Sequence, residues 1–441
     1  MDIDPRVRVL IENSEYWLRN NGDLAMLDMT IERLRERWPH ARIGVMTNSP
    51  ILLRAYFPGC EAITNFDSDP WAEPRWTEGL AARVGPRVVG PIALTWLRLR
   101  FSLPQKTRGA KRRLRGAWRA LAGDPIQAPP TPHPAPVTRG SFAAVEGASL
   151  LLLLGGGYLT DADPAQTTRV FNLCEQAYRH GIPVAMVGQG LGPIDNPDLR
   201  ALAVDVLPRA DFIAVRERRR GPTLLDEIGV APERVLVTGD DAIELAYGQR
   251  RAQMGTDIGV CLRVAEYSPV SEQARKTVGR VVRDTATQFD APLAPLIIAE
   301  YKAQDRRSTL PLVRGYSKLR RPPGRYASPR EVAARVARCR IIVTGAYHLA
   351  VFALSQGTPV VALTSSAYYD DKFLGLADMF GTGLRMIDLR AADLEDSLAG
   401  AIRSAWREAP EFREPLRARA RDQIAASKEG FDRVFRLVEG A

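Results

Sequence analysis

The sequence predicts an α/β protein in which two Rossmann-like domains enclose an active-site cleft. The chain has 441 residues, which exceeds the roughly 250–300 residues at which a single hydrophobic core stops growing. Short apolar segments alternate with helical segments, a pattern typical of a parallel sheet with crossover helices. This alternation occurs as two separate series, and each series indicates one domain.

The first series predicts an N-terminal Rossmann-like domain over residues 1–247. Its predicted strands are Arg6–Glu12, Arg42–Met46, Leu150–Leu154, Val184–Val187, Phe212–Val215 and Val235–Thr238. Its predicted helices are Asp23–Trp38, Pro164–His180, Pro197–Leu207 and Pro222–Ile228. Because Leu150–Leu154 is apolar throughout, this strand is expected to be buried on both faces of the sheet.

The second series predicts a C-terminal Rossmann-like domain over residues 255–390. Its predicted strands are Ile258–Leu262, Leu293–Ile298, Ile341–Thr344 and Val360–Leu363. Its predicted helices are Ser271–Phe289, about 328–338 and Tyr347–Ser355. Residues 391–441 are expected to form additional C-terminal helices.

An insertion of about 68–140 interrupts the first series. Residues Asp124–Gly140 contain six prolines, and proline excludes a helix interior or an inner strand. Residues 79–123 contain eleven basic residues and no acidic one, whereas the rest of the chain holds 50 Lys/Arg against 51 Asp/Glu. The net charge of +10 therefore resides in one segment, which argues against a general nucleic-acid-binding protein.

The basic segment 79–123 also contains Trp and Leu side chains between its arginines. This mixture is typical of a segment that contacts an anionic membrane surface. The alternative is an inserted helical hairpin whose apolar side chains pack onto the N-terminal domain. No apolar stretch reaches the roughly 18 residues of a membrane span, so we expect a cytoplasmic protein that is at most peripheral at the inner membrane face.

The cysteine pattern gives no sign of a metal site or a disulfide framework. The four cysteines lie far apart and none forms a C-x-x-C pair, so reduced core thiols are expected. The sequence accordingly predicts no metal and no cofactor.

Candidate ligand-binding residues follow the predicted strands, because ligands bind beyond the carboxyl ends of the strands in an open parallel sheet. The basic candidates are Arg216, Arg263 and Lys372, and each could instead form an ordinary surface salt bridge. Glycines that would let the backbone approach a ligand are Gly155, Gly156 and Gly157, which could also be a tight strand-to-helix turn. The remaining candidates are Asn21, Asp23, Gln189 and Asp240.

His348 is the most informative histidine of the four in the chain. It lies in the first turn after a predicted strand, beside the expected cleft, whereas the other three lie at helix ends or in the proline-rich segment. A histidine in this position could shuttle protons or contact a phosphate. The alternative is a buried histidine bonded to a backbone carbonyl.

Several motifs together resemble the polysaccharide pyruvyl transferase family. They are Asn21-Gly22-Asp23, Gly155–Gly157, Gly188–Pro193, Val215-Arg216-Glu217, Asp240-Asp241-Ala242, and Tyr347-His348 followed by Ala350–Pro359. The resemblance extends from Arg6 to about Gly381 and implies a fold similar to GT-B glycosyltransferases. It also implies a reaction in which phosphoenolpyruvate forms a cyclic ketal with two sugar hydroxyls and phosphate is released.

The resemblance also implies roles for the candidate residues. His348 is the expected acid, and Asp23 and Asp240 are expected to complete the catalytic set and grip sugar hydroxyls. Phosphoenolpyruvate or another anionic donor would bind Arg216, Arg263, Lys372 and the backbone of Gly155, Gly156 and Gly157. The acceptor, a sugar or a lipid-linked saccharide, would bind Asn21 and Gln189.

Ala346 departs from the family pattern, in which an arginine usually stands two residues before the histidine. Such an arginine would bind an anion, so its absence leaves two further hypotheses open. One is a GT-B glycosyltransferase that uses a nucleotide sugar or another activated donor. The other is a non-catalytic protein of this fold that binds glycan or lipid.

Overall fold

The computed structural model describes residues 7–13, 15–64, 70–71, 81–93, 95, 139–265, 268–300 and 304–440. Over these residues the chain forms two β-sheets, and every strand pairing within them is parallel. Apolar clusters cover the sheets and join them to the surrounding helices. The predicted α/β fold class with two Rossmann-like sheets is confirmed.

An eight-stranded sheet of order β3-β2-β1-β4-β6-β7-β8, with β5 paired to β6, forms the centre of the N-terminal domain. The strands are β1 (Arg8–Glu12), β2 (Arg42–Met46), β3 (Glu61–Ile63), β4 (Leu150–Leu153), β5 (Gly156–Leu159), β6 (Val184–Leu191), β7 (Phe212–Val215) and β8 (Val235–Val237). The helices are α1 (Asn21–Arg37), α2 (Pro50–Tyr56), α3 (Arg139–Glu146), α4 (Pro164–Arg179), α5 (Pro197–Val206), α6 (Gly221–Glu227) and α7 (Ala242–Gly248).

A five-stranded sheet of order β10-β9-β11-β12-β13 forms the centre of the C-terminal domain. The strands are β9 (Asp257–Cys261), β10 (Leu293–Pro295), β11 (Cys339–Thr344), β12 (Val360–Thr364) and β13 (Leu384–Asp388). The helices are α8 (Glu272–Gln288), α9 (Gln304–Val313), α10 (Pro329–Val336), α11 (Tyr347–Gln356) and α12 (Ala367–Phe380).

Two glycine-containing segments differ from their predicted structure. The segment Gly155–Gly157 is not a strand-to-helix turn, because Gly156 begins the short strand β5 and α4 starts only at Pro164. The strand β6 does not stop at Val187 and continues to Leu191. Glycines therefore occur within strands in both segments, where large side chains such as Arg216 pack over them. A pattern of apolar residues does not predict strands that contain glycine at such positions.

Residues 81–93 of the 68–140 insertion pack against the C-terminal domain, whereas Trp71 packs in a cluster of N-terminal residues. Residues 81–84 and 86–93 are helical, and Val89 and Ala93 are buried. A side chain at Gly90 would overlap the ring of Tyr326, and Arg87 pairs with Glu331. The remaining residues of segment 79–123 lie outside the described ranges, so the membrane contact stays a prediction.

The C-terminal residues form one long helix, α13 (Leu394–Glu439), rather than several helices. Its first half packs on the C-terminal domain through residues such as Leu398 and Ile402. Its second half, which includes Phe431 and Phe435, packs in the cluster that contains N-terminal residues. The helix therefore connects both domains. Among the described helices, none has the length and apolarity needed to cross a membrane.

Candidate active site in the interdomain cleft

The carboxyl ends of the strands of both domains face one cleft, which contains a cavity of about 170 Å³. The cavity is lined by Asn20, Asp23, Gly157, Tyr158, Arg216, Arg263, Ile298, Tyr347, His348, Tyr368, Tyr369 and Lys372. Both domains contribute to this wall, which is the position expected for a ligand in folds of this kind. Six of the predicted site residues line it: Asp23, Gly157, Arg216, Arg263, His348 and Lys372.

His348 lies at the start of α11 and packs directly against Gly22 in the first turn of α1. Any side chain at Gly22 would overlap the imidazole ring. The Nε2 atom of His348 lies 3.6 Å from Oδ2 of Asp240 and forms no hydrogen bond within the described ranges. This nitrogen is therefore available to a ligand rather than bonded to a backbone carbonyl.

The surroundings of His348 keep its imidazole neutral. Burial lowers its pKa well below the usual value of 6.5, and the positive charges of Arg216, Lys372 and Arg263 lower it further. A neutral imidazole at neutral pH is prepared to accept a proton, and it becomes an acid only after doing so. The predicted role of His348 as an acid therefore requires a preceding proton transfer to it.

Arg216 follows β7 and lies almost completely buried between the two domains. Its guanidinium carbon stacks 4.3 Å from the ring centre of Tyr347. A Cβ atom at Gly190 would lie 2.6 Å from Nε of Arg216, and one at Gly157 would lie 3.0 Å from its NH2 group. The absence of side chains at Gly157 and Gly190 thus makes the space that the guanidinium fills.

Asp240 lies between the arginine and the histidine. Its Oδ2 atom is 3.5 Å from NH1 of Arg216, while its Oδ1 atom accepts a 3.0 Å hydrogen bond from the backbone N–H of Ala242. Burial raises the pKa of Asp240 even though Arg216 acts to lower it. Asp240 is not among the residues that line the cavity, so it acts on the cavity through its neighbours His348 and Arg216.

Lys372 and two tyrosines come from α12 on the C-terminal domain. The Nζ atom of Lys372 lies 4.0 Å from the ring centre of Tyr368, and Tyr368 donates a 3.1 Å hydrogen bond to the backbone oxygen of Gly157. A Cβ atom at Gly157 would lie 2.9 Å from Nζ. Tyr368 was not predicted, although its spacing of four residues before Lys372 places both on one helix face.

Arg263 follows β9 and is held by Asp305, another residue that the sequence analysis missed. The Nε atom of Arg263 lies 2.7 Å from Oδ1 of Asp305, and NH2 donates a 3.2 Å hydrogen bond to Oδ2. The same Oδ2 accepts hydrogen bonds of 3.1 and 2.6 Å from the backbone N–H groups of Ile298 and Ala299. No motif marks Asp305, because its function depends on a fold-dependent contact over 42 residues of sequence.

Two predicted acceptor-binding residues do not line the cavity. Gln189 is fully buried in β6, and its Nε2 donates hydrogen bonds to Leu154 O and Tyr158 Oη at 2.8 and 3.1 Å. The backbone N–H of Asn21 donates a 2.8 Å hydrogen bond to the backbone oxygen of Ile298 in the C-terminal domain. The neighbouring Asn20, which caps α1 by accepting a hydrogen bond from Gly22 N, lines the cleft instead.

Gly155 and Gly156 also lie away from the cavity lining. A Cβ atom at Gly155 would lie 2.8 Å from the backbone oxygen of Gly188, so Gly155 serves close packing of two strands. Of the three predicted phosphate-binding glycines, only Gly157 faces the cleft.

The charges of the cleft suit a small anion. Three cationic side chains from both domains line it: Arg216, Arg263 and Lys372. Within the described ranges, no group of three or more His, Cys, Asp or Glu residues could hold a metal ion. A second, smaller compartment shares Arg216, Tyr347, Tyr368 and Lys372 with the cavity and continues past Gly190–Pro193 to an interdomain ion pair between Arg220 and Asp371.

Comparisons with known proteins give one family match and a common fold. The family model for polysaccharide pyruvyl transferase matches residues 20–366. No curated protein matches the sequence. Among solved structures, a putative UDP-N-acetylglucosamine 2-epimerase from Listeria monocytogenes has a TM-score of 0.56 at 12% identity, with 99% of this chain and 98% of that chain covered.

Two further solved structures are similar over their whole length. UDP-GlcNAc 2-epimerase from Neisseria meningitidis, bound to UDP-GlcNAc, has a TM-score of 0.55 at 13% identity and covers 98% of this chain and 99% of that chain. UGT2 from Phytolacca americana, complexed with UDP-2fluoro-glucose and pterostilbene, has a TM-score of 0.52 at 11% identity and covers 100% of each chain. At these identities the likeness shows a shared GT-B fold.

Proposed function

Because the chain belongs to the polysaccharide pyruvyl transferase family, we propose that it transfers a pyruvyl group from phosphoenolpyruvate to two hydroxyls of one sugar. The family makes the chain a transferase-type enzyme of polysaccharide modification. The proposed acceptor is a sugar of a cell-surface glycan or glycolipid precursor. The observation that carries the proposal is the convergence of three cations on a neutral His348 in one cleft.

The donor fits the charges of the cavity. Phosphoenolpyruvate carries a carboxylate and a phosphate on one three-carbon unit, and guanidinium groups bind both in bidentate geometry. Arg216 on the N-terminal domain and Arg263 on the C-terminal domain lie on the same cavity wall as Lys372. An anion bound between them would contact Arg216 and Arg263 beside their carboxylate partners Asp240 and Asp305.

The proposed ketal formation requires one residue that carries a proton from a sugar hydroxyl to the methylene carbon of phosphoenolpyruvate. Two oxygen–carbon bonds form at C2 of phosphoenolpyruvate, the bond from C2 to the phosphate oxygen breaks, and the methylene carbon gains one proton. Of the two hydroxyl protons, one supplies this methyl group and the other leaves with phosphate. His348 would accept a hydroxyl proton as a neutral base and then return it as an acid, with Asp240 stabilising the intermediate imidazolium.

The proposed anion site is compatible with alanine at position 346. Its side chain is fully buried in the apolar cluster, and its backbone N–H donates a 2.9 Å hydrogen bond to Oγ1 of Thr344. The neighbouring Gly345 packs against Arg263, whose backbone nitrogen would lie 3.2 Å from a Cβ atom at this glycine. Because the backbone of Arg263 lies beside Gly345, Arg263 is the residue that we propose for the role of the missing arginine.

A nucleotide-sugar transferase is the second candidate function. The fold shared with the Neisseria meningitidis epimerase, which was solved with UDP-GlcNAc bound, favours it, and so does the departure at Ala346. A non-catalytic saccharide-binding role is the third candidate. This role is less well supported because a candidate proton carrier, His348, lines the same cavity as the cations Arg216 and Lys372. A protein that only binds saccharide does not need this combination.

Ligand-induced stabilisation distinguishes these candidates. A ligand at a hundred times its dissociation constant adds about 2.7 kcal/mol to the free energy of unfolding. We expect phosphoenolpyruvate to raise the melting temperature of the wild type, and UDP-GlcNAc to have no effect. The variant Arg216→Ala should lose the response, whereas Arg219→Ala, which alters an exposed surface ion pair, should keep it. Stabilisation by the nucleotide sugar alone would support the second candidate.

A further inference from the structure

A large basic groove lies on the C-terminal domain outside the cleft. It is formed between α8 and α9 and encloses about 580 Å³, which exceeds the roughly 170 Å³ of the cleft cavity. Five basic side chains line it: Arg275, Lys276, Arg280 and Arg283 from α8, and Arg307 from α9. Glu272 is the one acidic residue among the described lining residues.

Some of these charges are already paired. Arg275 pairs with Glu272 at 2.5 Å, Arg280 pairs with Glu395, and Arg283 donates a 2.5 Å hydrogen bond to the backbone oxygen of Leu312. Lys276 and Arg307 are exposed and have no ion pair or side-chain hydrogen bond to any described residue. These two cations, one on each helix, are therefore available to an external anion.

The groove is connected to the active-site cleft through α9. Ser308 lines the groove and donates a hydrogen bond to the backbone oxygen of Leu262, the residue directly before the cleft residue Arg263. One turn earlier on α9, Asp305 holds Arg263 itself. Asp305 and Ser308 are three residues apart and share one face of α9, so the groove and the cleft are connected through the same face of this helix.

We infer that the groove between α8 and α9 binds an anionic saccharide chain, namely the part of the acceptor that already carries pyruvyl ketals. This inference rests on the proposed function, because each ketal leaves one carboxylate on the sugar that it modifies. A neutral chain thus becomes anionic as it is modified. Cationic walls beside the cleft would hold the modified segment while the next sugar reacts.

The character of the groove favours a saccharide over other polyanions. None of the exposed large apolar side chains lines the described groove, whereas membrane-surface binding uses apolar side chains that enter the lipid. Binding of single-stranded nucleic acid relies on aromatic stacking, and the described lining contains no aromatic residue. A concave, polar and cationic surface fits a hydroxyl-rich chain that carries carboxylates.

The test compares the binding of two labelled oligosaccharides, a polyuronate and a neutral dextran, by fluorescence anisotropy at low and high salt. The charge-reversed variant Lys276→Glu/Arg307→Glu should bind the polyuronate at least about tenfold more weakly, because each charge-assisted contact to a carboxylate contributes about that factor. The control Arg338→Glu/Arg385→Glu has the same change in net charge at exposed positions outside the groove and should bind like the wild type.

Equal binding of dextran and polyuronate, or equal loss in both double variants, would overturn the inference. Binding to anionic lipid vesicles is measured for the same proteins. If Lys276→Glu/Arg307→Glu loses vesicle binding but retains polyuronate binding, the inference is overturned and a membrane surface is the partner of the groove. If charge reversal impairs folding, Lys276→Gln/Arg307→Gln should reproduce the weaker polyuronate binding. Phosphate release from phosphoenolpyruvate with a short neutral acceptor tests the proposed function separately, and the control Arg338→Glu/Arg385→Glu should leave it unchanged.

Discussion

At the scale of single residues, the cleft places a neutral histidine beside three cationic side chains, two of which pair with buried carboxylates. Burial and three neighbouring positive charges keep the pKa of His348 low, while Asp240 provides one carboxylate between His348 and Arg216. An anionic donor would reduce the positive field at His348 and so raise its proton affinity. Under the proposed function, donor binding and proton transfer would therefore be coupled through charge.

The variant His348→Gln tests this role directly. It removes the proton carrier while keeping a polar side chain of similar size, so turnover should fall by about 10²–10⁴-fold, the usual contribution of a general acid or base. The control His40→Gln changes an exposed histidine and should keep full activity. A His348→Gln protein that is less stable but fully active would show that the histidine is structural.

The lowered pKa of His348 also predicts a pH dependence of stability. The unfolded chain binds a proton at this histidine below about pH 6.5, whereas the folded chain resists it until a lower pH. The free energy of unfolding of the wild type should therefore fall, relative to His348→Gln, as the pH decreases through 6.5. Urea unfolding of both proteins across this range measures the difference. A constant difference would contradict the assigned direction of the pKa shift.

Asp305 should act as a positioning residue for Arg263. The variant Asp305→Asn keeps an acceptor for the backbone N–H groups but removes the charge that orients the guanidinium. The KM for phosphoenolpyruvate should rise by about tenfold or more, the factor that one lost charge-assisted contact gives, while kcat changes less. In the control Asp257→Asn, another buried aspartate loses its pair with Arg320. This control should lower stability without changing KM.

At the scale of secondary-structure elements, the site depends on helix starts that meet across the cleft. The N-terminus of α1 carries Asn20 and Gly22, and the N-terminus of α11 carries His348. The N–H groups of Asn21 and Gly22 are already bonded to Ile298 O and Asn20 Oδ1, but the N-terminus of each helix still carries a partial positive charge. This arrangement adds to the attraction for an anion and opposes protonation of His348.

The variant Gly22→Ala tests the contact between these helices. Alanine favours a helix interior over glycine by about 1 kcal/mol, so α1 itself should not be weakened. The added methyl group would overlap the imidazole of His348, and activity should fall by about tenfold or more as the ring is displaced. In contrast, Gly248→Ala adds a methyl group where no atom lies within 4 Å and should leave turnover unchanged. Normal turnover by Gly22→Ala would contradict this packing.

The elements differ in how far the sequence predicted them. Leu150–Leu154 was recognisable because a short uninterrupted apolar run suits a doubly buried strand, and four of these residues form β4. The end of β6 was not recognisable, because Gly188 and Gly190 resemble a loop although they continue the strand. Arg216 and Lys372 could be placed from strand ends alone. Asp305 could not, because its partner Arg263 is distant in sequence.

At the scale of the whole molecule, the two domains are joined by contacts on both sides of the cleft. The backbone of Asn21 donates to Ile298 O, and Glu300 N donates to Arg19 O at 2.8 Å. The helix α13 joins the domains again, with Arg33 of α1 donating a 2.8 Å hydrogen bond to Ser427 Oγ. The relative position of Arg216 and Arg263 depends on these contacts.

The variant Phe431→Ala tests the contribution of α13. Phe431 is buried in the main cluster and lies 4.5 Å beneath the guanidinium of Arg33, so the change should lower the free energy of unfolding by about 3–5 kcal/mol. In the control Asp432→Ala, which alters an exposed neighbouring residue, the free energy of unfolding should change by less than about 0.5 kcal/mol. Chemical denaturation measures both. A small effect of Phe431→Ala would indicate that α13 does not hold the domains together.

The most direct test of the central claim is a phosphate-release assay with phosphoenolpyruvate, a saccharide acceptor and no nucleotide. The proposed function predicts phosphate release only when donor and acceptor are both present, with one ketal carboxylate gained on the saccharide for each phosphate released. Arg216→Ala and His348→Gln should lower the rates of formation of both products together. Saccharide modification that requires a nucleotide sugar, with no phosphate released from phosphoenolpyruvate, would contradict the claim.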